Sequence, residues 1–169
     1  MLMVGTVVVT KQNKFIDDIK RGKIGEQEVI LHLSKFPNVD KIYDVSGIKE
    51  FQDDDVDIII KCNNGVSIFG EIKTDYMAHH TGIFPYELVS NSTYDTVGCL
   101  QKTKSDVIYF YLIETNELYH IRTNNLRKYM QAHINDFKKT NMGDNAVGYL
   151  IPLKILKEKE WCIKSRVKK

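Results

Sequence analysis

The stretch Val56-Asp57-Ile58-Ile59-Ile60-Lys61-Cys62-Asn63-Asn64-Gly65-Val66-Ser67-Ile68-Phe69-Gly70-Glu71-Ile72-Lys73 decides how this chain is read. Val56 to Cys62 and Val66 to Glu71 are rich in β-branched and aromatic residues and are separated by turn residues, a pattern that predicts an antiparallel hairpin. Two turns compete. A two-residue type I′ turn at Asn64-Gly65 would face Asn63 with Val66, Asp57 with Ile72 and Ile58 with Glu71, so every pair mixes polar with apolar. A three-residue loop over Asn63-Asn64-Gly65, with Gly65 left-handed, instead pairs Cys62/Val66, Ile60/Ile68, Ile58/Gly70 and Val56/Ile72 on one face. The other face then carries Lys61/Ser67, Ile59/Phe69, Asp57/Glu71 and Asp55/Lys73. This second register segregates the faces, and a one-residue slip would undo it.

The second register sets Asp57 directly against Glu71, a like-charge pair that costs a few tenths to about 1 kcal/mol unless a cation lies between the two. A divalent metal ion is the natural candidate, and Lys73, one pleat further on, can position or activate a water. Chemistry of that kind hydrolyses phosphodiesters. A single acidic residue on a strand is better explained as a solvated strand end paired with a lysine. For Asp57, Glu71 and Lys73 together, with apolar strands leading into them, the metal explanation is preferred.

A third carboxylate points the same way. Ile24 to Phe36 has helical spacing, with Val29, Ile30, Leu33 and Phe36 on one side. At ~100° per residue, Glu26 falls between Leu33 and Ile30, inside the apolar arc, whereas Glu28 falls on the opposite side near Lys35 and His32. Glu28 is therefore read as solvated. Glu26 is aimed at whatever the helix packs on, and a carboxylate there needs a partner. The alternative for Glu26 is a salt-bridged residue near the helix start, where the macrodipole favours negative charge.

Glu26 on a first helix beside Gly22 and Gly25, Asp57 opening a strand and Glu71-Ile72-Lys73 closing the next together resemble the PD-(D/E)xK nuclease superfamily. The order helix, strand, hairpin, strand is similar to that family's fold: an α/β restriction-endonuclease-like αβββαβ core, a mixed central sheet flanked by helices. The resemblance implies that Asp57 and Glu71 ligate Mg²⁺ with the Ile72 carbonyl, with Mn²⁺ able to substitute. It further implies that Glu26 completes the site directly or through water, and that Lys73 orients the attacking water or stabilises the pentavalent phosphate. It covers roughly residues 20–125, and its core motif is short. The Pro that gives the family its name is absent, Val56 standing in its place. Glu87 resembles an acidic residue that some of these nucleases carry shortly after the strand bearing Glu-x-Lys; a strand-face carboxylate paired to a lysine explains it equally well. Gln101, Lys102 and Lys104 stand where the family's helix usually faces substrate. The resemblance also implies DNA as partner and a homodimer.

An open site with two carboxylates and a carbonyl suits Mg²⁺, which takes hard oxygen ligands and keeps several waters. Such an ion polarises a phosphoryl oxygen and lowers the pKa of a bound water. At 169 residues the chain is read as one domain, a nuclease-like core with a basic C-terminal extension from about 126. The net charge is only +2, but residues 1–119 carry 12 Lys/Arg against 18 Asp/Glu while residues 120–169 carry 12 against 4. An acidic half beside a basic half suits an enzyme that handles a polyanion; a solvated basic tail over Lys157 to Lys169 explains the last stretch equally well. Cys62, Cys99 and Cys162 are scattered, without zinc-knuckle spacing, which predicts a reducing, cytoplasmic compartment. The opening MLMVGTVVVT lacks a basic flank and a cleavage pattern and is read as a strand or a loose terminus rather than a signal peptide. No stretch approaches membrane-spanning length, and no nucleotide cofactor is expected.

Further along, Thr74 to Phe84 is read as a loop beside the site, with Tyr76 or His79 touching substrate. His79-His80 is not expected to ligate metal, since adjacent histidines on a loop seldom point together. Phe84 to Val89 reads as a strand whose Pro85 marks an edge or a beginning. Val97 to Thr103 reads as a short helix, and Asp106 to Leu112 as a strand apolar enough to be central. A hairpin at Glu114 to Glu117 leads to a strand from Leu118 to Ile121. Thr123 is placed as the N-cap of a helix through about Ala132, and Asn141 to Gly143 breaks the chain before a last strand, Val147 to Ile151. The functional expectation is a Mg²⁺-dependent DNA endonuclease or exonuclease, of repair, recombination, phage or restriction type. The alternatives are a catalytically silent nucleic-acid-binding module on the same fold and a protein-interaction domain with an acidic regulatory surface.

Overall fold

A computed structural model describes residues 11–91, 93, 96–143 and 145–168. The expectation for the first ten residues lies outside that range. Helix α1 (Lys11–Leu33) starts well before the periodic segment at Ile24. It ends where Ser34 bonds back to the Ile30 carbonyl and Pro37 prevents continuation. Strand β1 (Val39–Asp44) follows, then a short helix α2 (Lys49–Asp53). The hairpin consists of β2 (Ile58–Cys62) and β3 (Ser67–Asp75). Its register is Ile58/Gly70, Ile59/Phe69, Ile60/Ile68 and Lys61/Ser67, with Gly65 at φ 82°: the three-residue loop.

The segment read as a loop after Lys73 is mostly ordered backbone. Strand β3 runs on to Asp75, and a single-turn helix α3 (Ala78–Thr81) follows, its first amides bonded to the Asp75 carboxylate. Then come β4 (Ile83–Asn91), the two-residue β5 (Thr96–Val97) and α4 (Cys99–Lys102). Next are β6 (Val107–Leu112), β7 (Glu117–Arg122) and α5 (Thr123–His133). Thr123 does not cap α5: it is the first helical residue, and its hydroxyl, buried and without a hydrogen-bond partner, leaves the cap position to Arg122. Asn141 to Gly143 is no break either, since it belongs to β8 (Lys139–Gly143). Strand β9 (Ala146–Pro152), helix α6 (Leu153–Lys157) and strand β10 (Cys162–Arg166) complete the described chain. The expected last strand is β9, and the segment taken as an alternative solvated tail contains β10.

The molecule is α/β, with a mixed sheet flanked by helices. Its six-stranded sheet has the order β1-β2-β3-β6-β7-β10, antiparallel throughout except for the parallel pair β3/β6. A parallel pair needs a crossover, and here that crossover contains β4, which joins β5, β9 and β8 in a second, antiparallel sheet. Pro85 lies within β4 opposite Leu150 of β9, and β5 reaches only the far end of β4 around Val89 and Asn91.

One face of the large sheet packs Ile58, Ile60, Ile72, Tyr109, Tyr111 and Leu118 against Val29 and Leu33 of α1. The other packs Ile108, Phe110, Leu112 and Ile121 against the second sheet, α4, α5 and α6. Strand β6 is covered on both faces, as its continuous apolar run predicted. Strand β10 is tied to α1 through Ser165 Oγ, 3.2 Å from His32 Nε2 and 2.8 Å from His120 Nε2, where burial pushes His120 down to about 4.

Candidate metal-dependent site

Alternation along β3 sends Ile72 to the α1 side and Glu71 and Lys73 to the opposite side, in register with Ile108 and Phe110 of β6. Glu71 is 5% exposed in a neighbourhood of apolar side chains, and its Oε1 accepts a 2.7 Å bond from Lys73 Nζ. Burial, only partly offset by Lys73 and reinforced by the charges of Asp57 and Asp55, pushes Glu71 up to about 7. Burial by itself would lower Lys73, but the Glu71 carboxylate and the neighbouring Cys99 hold it well above the usual lysine range. Lys73 is thus a permanent cation, while Glu71 titrates near neutrality.

Asp57 stands just before β2. The regular ladder stops at Ile58/Gly70, and the Asp57 amide donates 2.9 Å to the Gly70 carbonyl. Asp57 therefore does not form the direct cross-strand pair with Glu71 that a continued register requires. Its Oδ2 instead accepts the Ile72 amide at 2.7 Å. Burial raises its pKa against that hydrogen bond, and the charge of Glu26 raises it further. The turn that delivers Asp57 is held from outside: Asp55 sits at φ 47°, a left-handed conformation uncommon for Asp, and its carbonyl accepts bonds from Thr103 Oγ1 (2.6 Å) and Ser105 Oγ (3.1 Å).

Glu26 is carried on α1 close to β3 because Gly25 lets the helix approach that strand: a Cβ on Gly25 would lie 2.3 Å from the Thr74 hydroxyl. The Glu26 side chain is 25% exposed and pairs at 2.9 Å with Lys23. Glu28 corrects the sequence reading. It is half-buried rather than solvated, and its Oε2 accepts the Tyr111 hydroxyl at 2.6 Å.

Opposite Glu71 and Lys73, a Cβ on Gly98 would lie 2.4 Å from the Glu87 carbonyl oxygen, so only glycine lets the start of α4 sit this close to β4. Arg127 fixes the other end of α4 by donating to the Leu100 and Gln101 carbonyls at 3.1 Å each and to that of Thr103. Cys99 and Glu87 thereby share with Lys73, Phe84 and Phe110 a small pocket of about 140 Å³. Glu87, placed from the sequence as a secondary candidate, does face this pocket and accepts a bond from Ser90 Oγ.

The weaker candidates divide. Lys102 pairs with Asp55 (3.5 Å) and Lys104 with Asp54 (2.8 Å), so both brace the turn before Asp57 while remaining exposed enough for a phosphate. Gln101 lies on the far side of α4, in a groove with Tyr86, Arg127 and Gln131. Tyr76 lies under the Arg21 guanidinium, 5.5 Å from its ring centre. His79 and His80 do come together, with ring centroids 3.7 Å apart, contrary to the expectation that they diverge. Among the described residues no three His, Cys, Asp or Glu side chains are grouped closely enough to hold a metal ion by themselves. The expected convergence of three carboxylates on one point is therefore not what the structure has. Asp57 and Glu71 nevertheless present hard oxygen donors whose proton affinity is raised by burial and by neighbouring negative charge, a donor set that fits Mg²⁺, since this ion completes its shell with water.

Sequence reasoning missed Lys23, Cys99 and Arg127, and it set Asp55 opposite Lys73, whereas the ladder stops at Ile58/Gly70 and Asp55 pairs with Lys102. Lys23 had a signal in its i, i+3 spacing from Glu26; Cys99 and Arg127 are brought in by contacts distant in sequence. Among the described residues no helix is long and apolar enough to cross a membrane, and none of the three cysteines is in a disulfide. Set against protein-family models, curated proteins and solved structures, the chain matches none of them.

Proposed function

We propose that this chain is a divalent-metal-dependent DNA nuclease with a restriction-endonuclease-like core and a PD-(D/E)xK-type site. One observation carries the reading: a buried carboxylate and a lysine two residues apart, Glu71 and Lys73, project from β3 beside Asp57 at the start of β2. They do so on a sheet in which an antiparallel β1-β2-β3 run is followed by a parallel neighbour. A buried carboxylate paired to a half-exposed lysine and set beside a second raised carboxylate is poor design for stability and ordinary design for catalysis.

Asp57, Glu71 and the Ile72 carbonyl would hold Mg²⁺ or Mn²⁺, with Glu26 reaching it directly or through water. Bound there, the metal supplies Lewis acidity toward a phosphoryl oxygen and a water of lowered pKa. The Ile72 amide fixes the Asp57 carboxylate, and the pairing with Glu71 fixes the Lys73 ammonium. Lys73 then orients the attacking water or offsets the charge that grows on the phosphate. The exposed cations Lys128, Lys138, Lys139, Lys154 and Lys157 of the C-terminal part supply attraction for a polyanion.

A second reading, a catalytically silent nucleic-acid-binding module on the same fold, is favoured by the lack of three converging ligand side chains among the described residues. Cleavage of a panel of single-stranded, duplex and branched DNA with Mg²⁺ or Mn²⁺ separates the two. Lys73→Ala is expected to lose activity by about 10²-fold or more, the scale of removing one electrostatic stabiliser, with DNA binding retained. DNA bound but untouched by wild type under every metal condition would leave the silent module, and failure to bind DNA at all would leave an interaction domain.

A further inference from the structure

The ammonium of Lys23 occupies a place that the proposed chemistry leaves unexplained. Its Nζ lies 2.9 Å from Glu26 Oε2, 2.9 Å from Ser46 Oγ and 3.6 Å from Asp44 Oδ2. The Asp44 carboxylate in turn accepts the Ser46 hydroxyl at 2.6 Å and the Ser46 amide at 3.1 Å, which orders the turn after β1 around one carboxylate. That turn abuts the site, because the Val45 amide donates 2.8 Å to the Asp57 carbonyl. Two carboxylate oxygens and a hydroxyl around one cation make up the kind of hard-oxygen donor set that a divalent ion takes.

We propose that Lys23 is a built-in competitor for the metal: its ammonium holds Glu26 in the metal-free protein and gives it up when Glu26 turns to the ion. The inference rests on the reading of the site as metal-dependent, and it assigns Lys23 a regulating rather than a catalytic place. Loading the site exchanges an ammonium–carboxylate contact for a metal–carboxylate contact, so metal affinity is set partly by a residue that never touches the ion.

The test is Mn²⁺ binding to the whole chain, followed by calorimetry, for wild type, Lys23→Met, Glu26→Gln and the double variant. Lys23→Met should bind about three- to fivefold more tightly, the worth of a partly exposed ion pair. In the Glu26→Gln background the same substitution should change affinity by less than about twofold. Lys61→Met, which removes an equal charge at the far end of the hairpin, should change nothing. Unchanged or weaker binding in Lys23→Met overturns the competition, as does an equal gain with and without Glu26, which would mark a general charge effect. If Asp57→Asn abolishes binding while Lys23→Met leaves it unaltered, the metal reading stands and only the competition falls. Absence of Mn²⁺ binding in all four proteins removes both.

Discussion

The two ends of the β2–β3 hairpin are built from the same strands on opposite principles. At the turn, most of the polar contacts are local: the Gly65 amide bonds to the Cys62 carbonyl, Asn64 Oδ1 accepts the Val66 amide, and Lys61 Nζ donates to Ser67 Oγ at an exposed pair, while Asn63 alone reaches further, to the Asn38 and Pro37 carbonyls. At the other end Glu71 is buried, Lys73 and Asp57 are half-buried beside it, and both carboxylates resist ionisation. The turn end keeps its polar groups exposed and paired. The site end holds charge in a place where apolar side chains would be more stable, and it does so only because elements distant in sequence press against it.

The contrast can be broken most strongly at Glu71. Its folded pKa, about 7, lies above its ordinary value of 4.5, so between those values the native state keeps a proton that the unfolded state has lost. Stability from this group is complete below about 4.5 and is lost as pH rises through 7. Metal-free wild type should therefore lose roughly 3 kcal/mol relative to Glu71→Gln across that window, at ~1.4 kcal/mol for each pH unit between the two values. Urea unfolding of both proteins at pH 4.5 and 8 with a chelator measures it, and a difference independent of pH would show that Glu71 is not strained. At the turn end, Gly65→Ala should cost about 1–2 kcal/mol, since φ 82° forces a left-handed conformation on an L side chain, and its effect should not vary with pH. The smallest effect belongs to Lys61→Ala, within about 0.5 kcal/mol of wild type and without influence on the proposed cleavage. A larger change in thermal melting there would mean that the turn end is less self-sufficient than its contacts indicate.

The hairpin register was legible because a single slip would have mixed every face, so local pattern and long-range packing demanded the same answer. The central strand Val107–Leu112 was legible for a similar reason, its unbroken apolar run needing cover on both sides. Strand β1 was expected only from the resemblance and given no bounds, because an edge strand with most of its residues in water carries little pattern. The second sheet escaped notice as a unit: β4 meets β9 across more than fifty residues of chain, and no local signal announces a partner so far away. Glu28 was misplaced because helical geometry gives a direction but not the reach of Tyr111 from another element.

By itself the amino-acid order determined the hairpin and its turn, the helix that bears Glu26, and the presence of two acids and a lysine where packing alone would have chosen other residues. Those follow from backbone sterics and from the period of the pattern, which act over a few residues. Only the folded arrangement decided that Asp57 would cap the Ile72 amide instead of facing Glu71, that Lys23 would hold Glu26, and that the basic C-terminal segment would supply an edge strand. Each of these depends on desolvation and on contacts between groups far apart along the chain, energies that exist only once the remaining elements have closed around them.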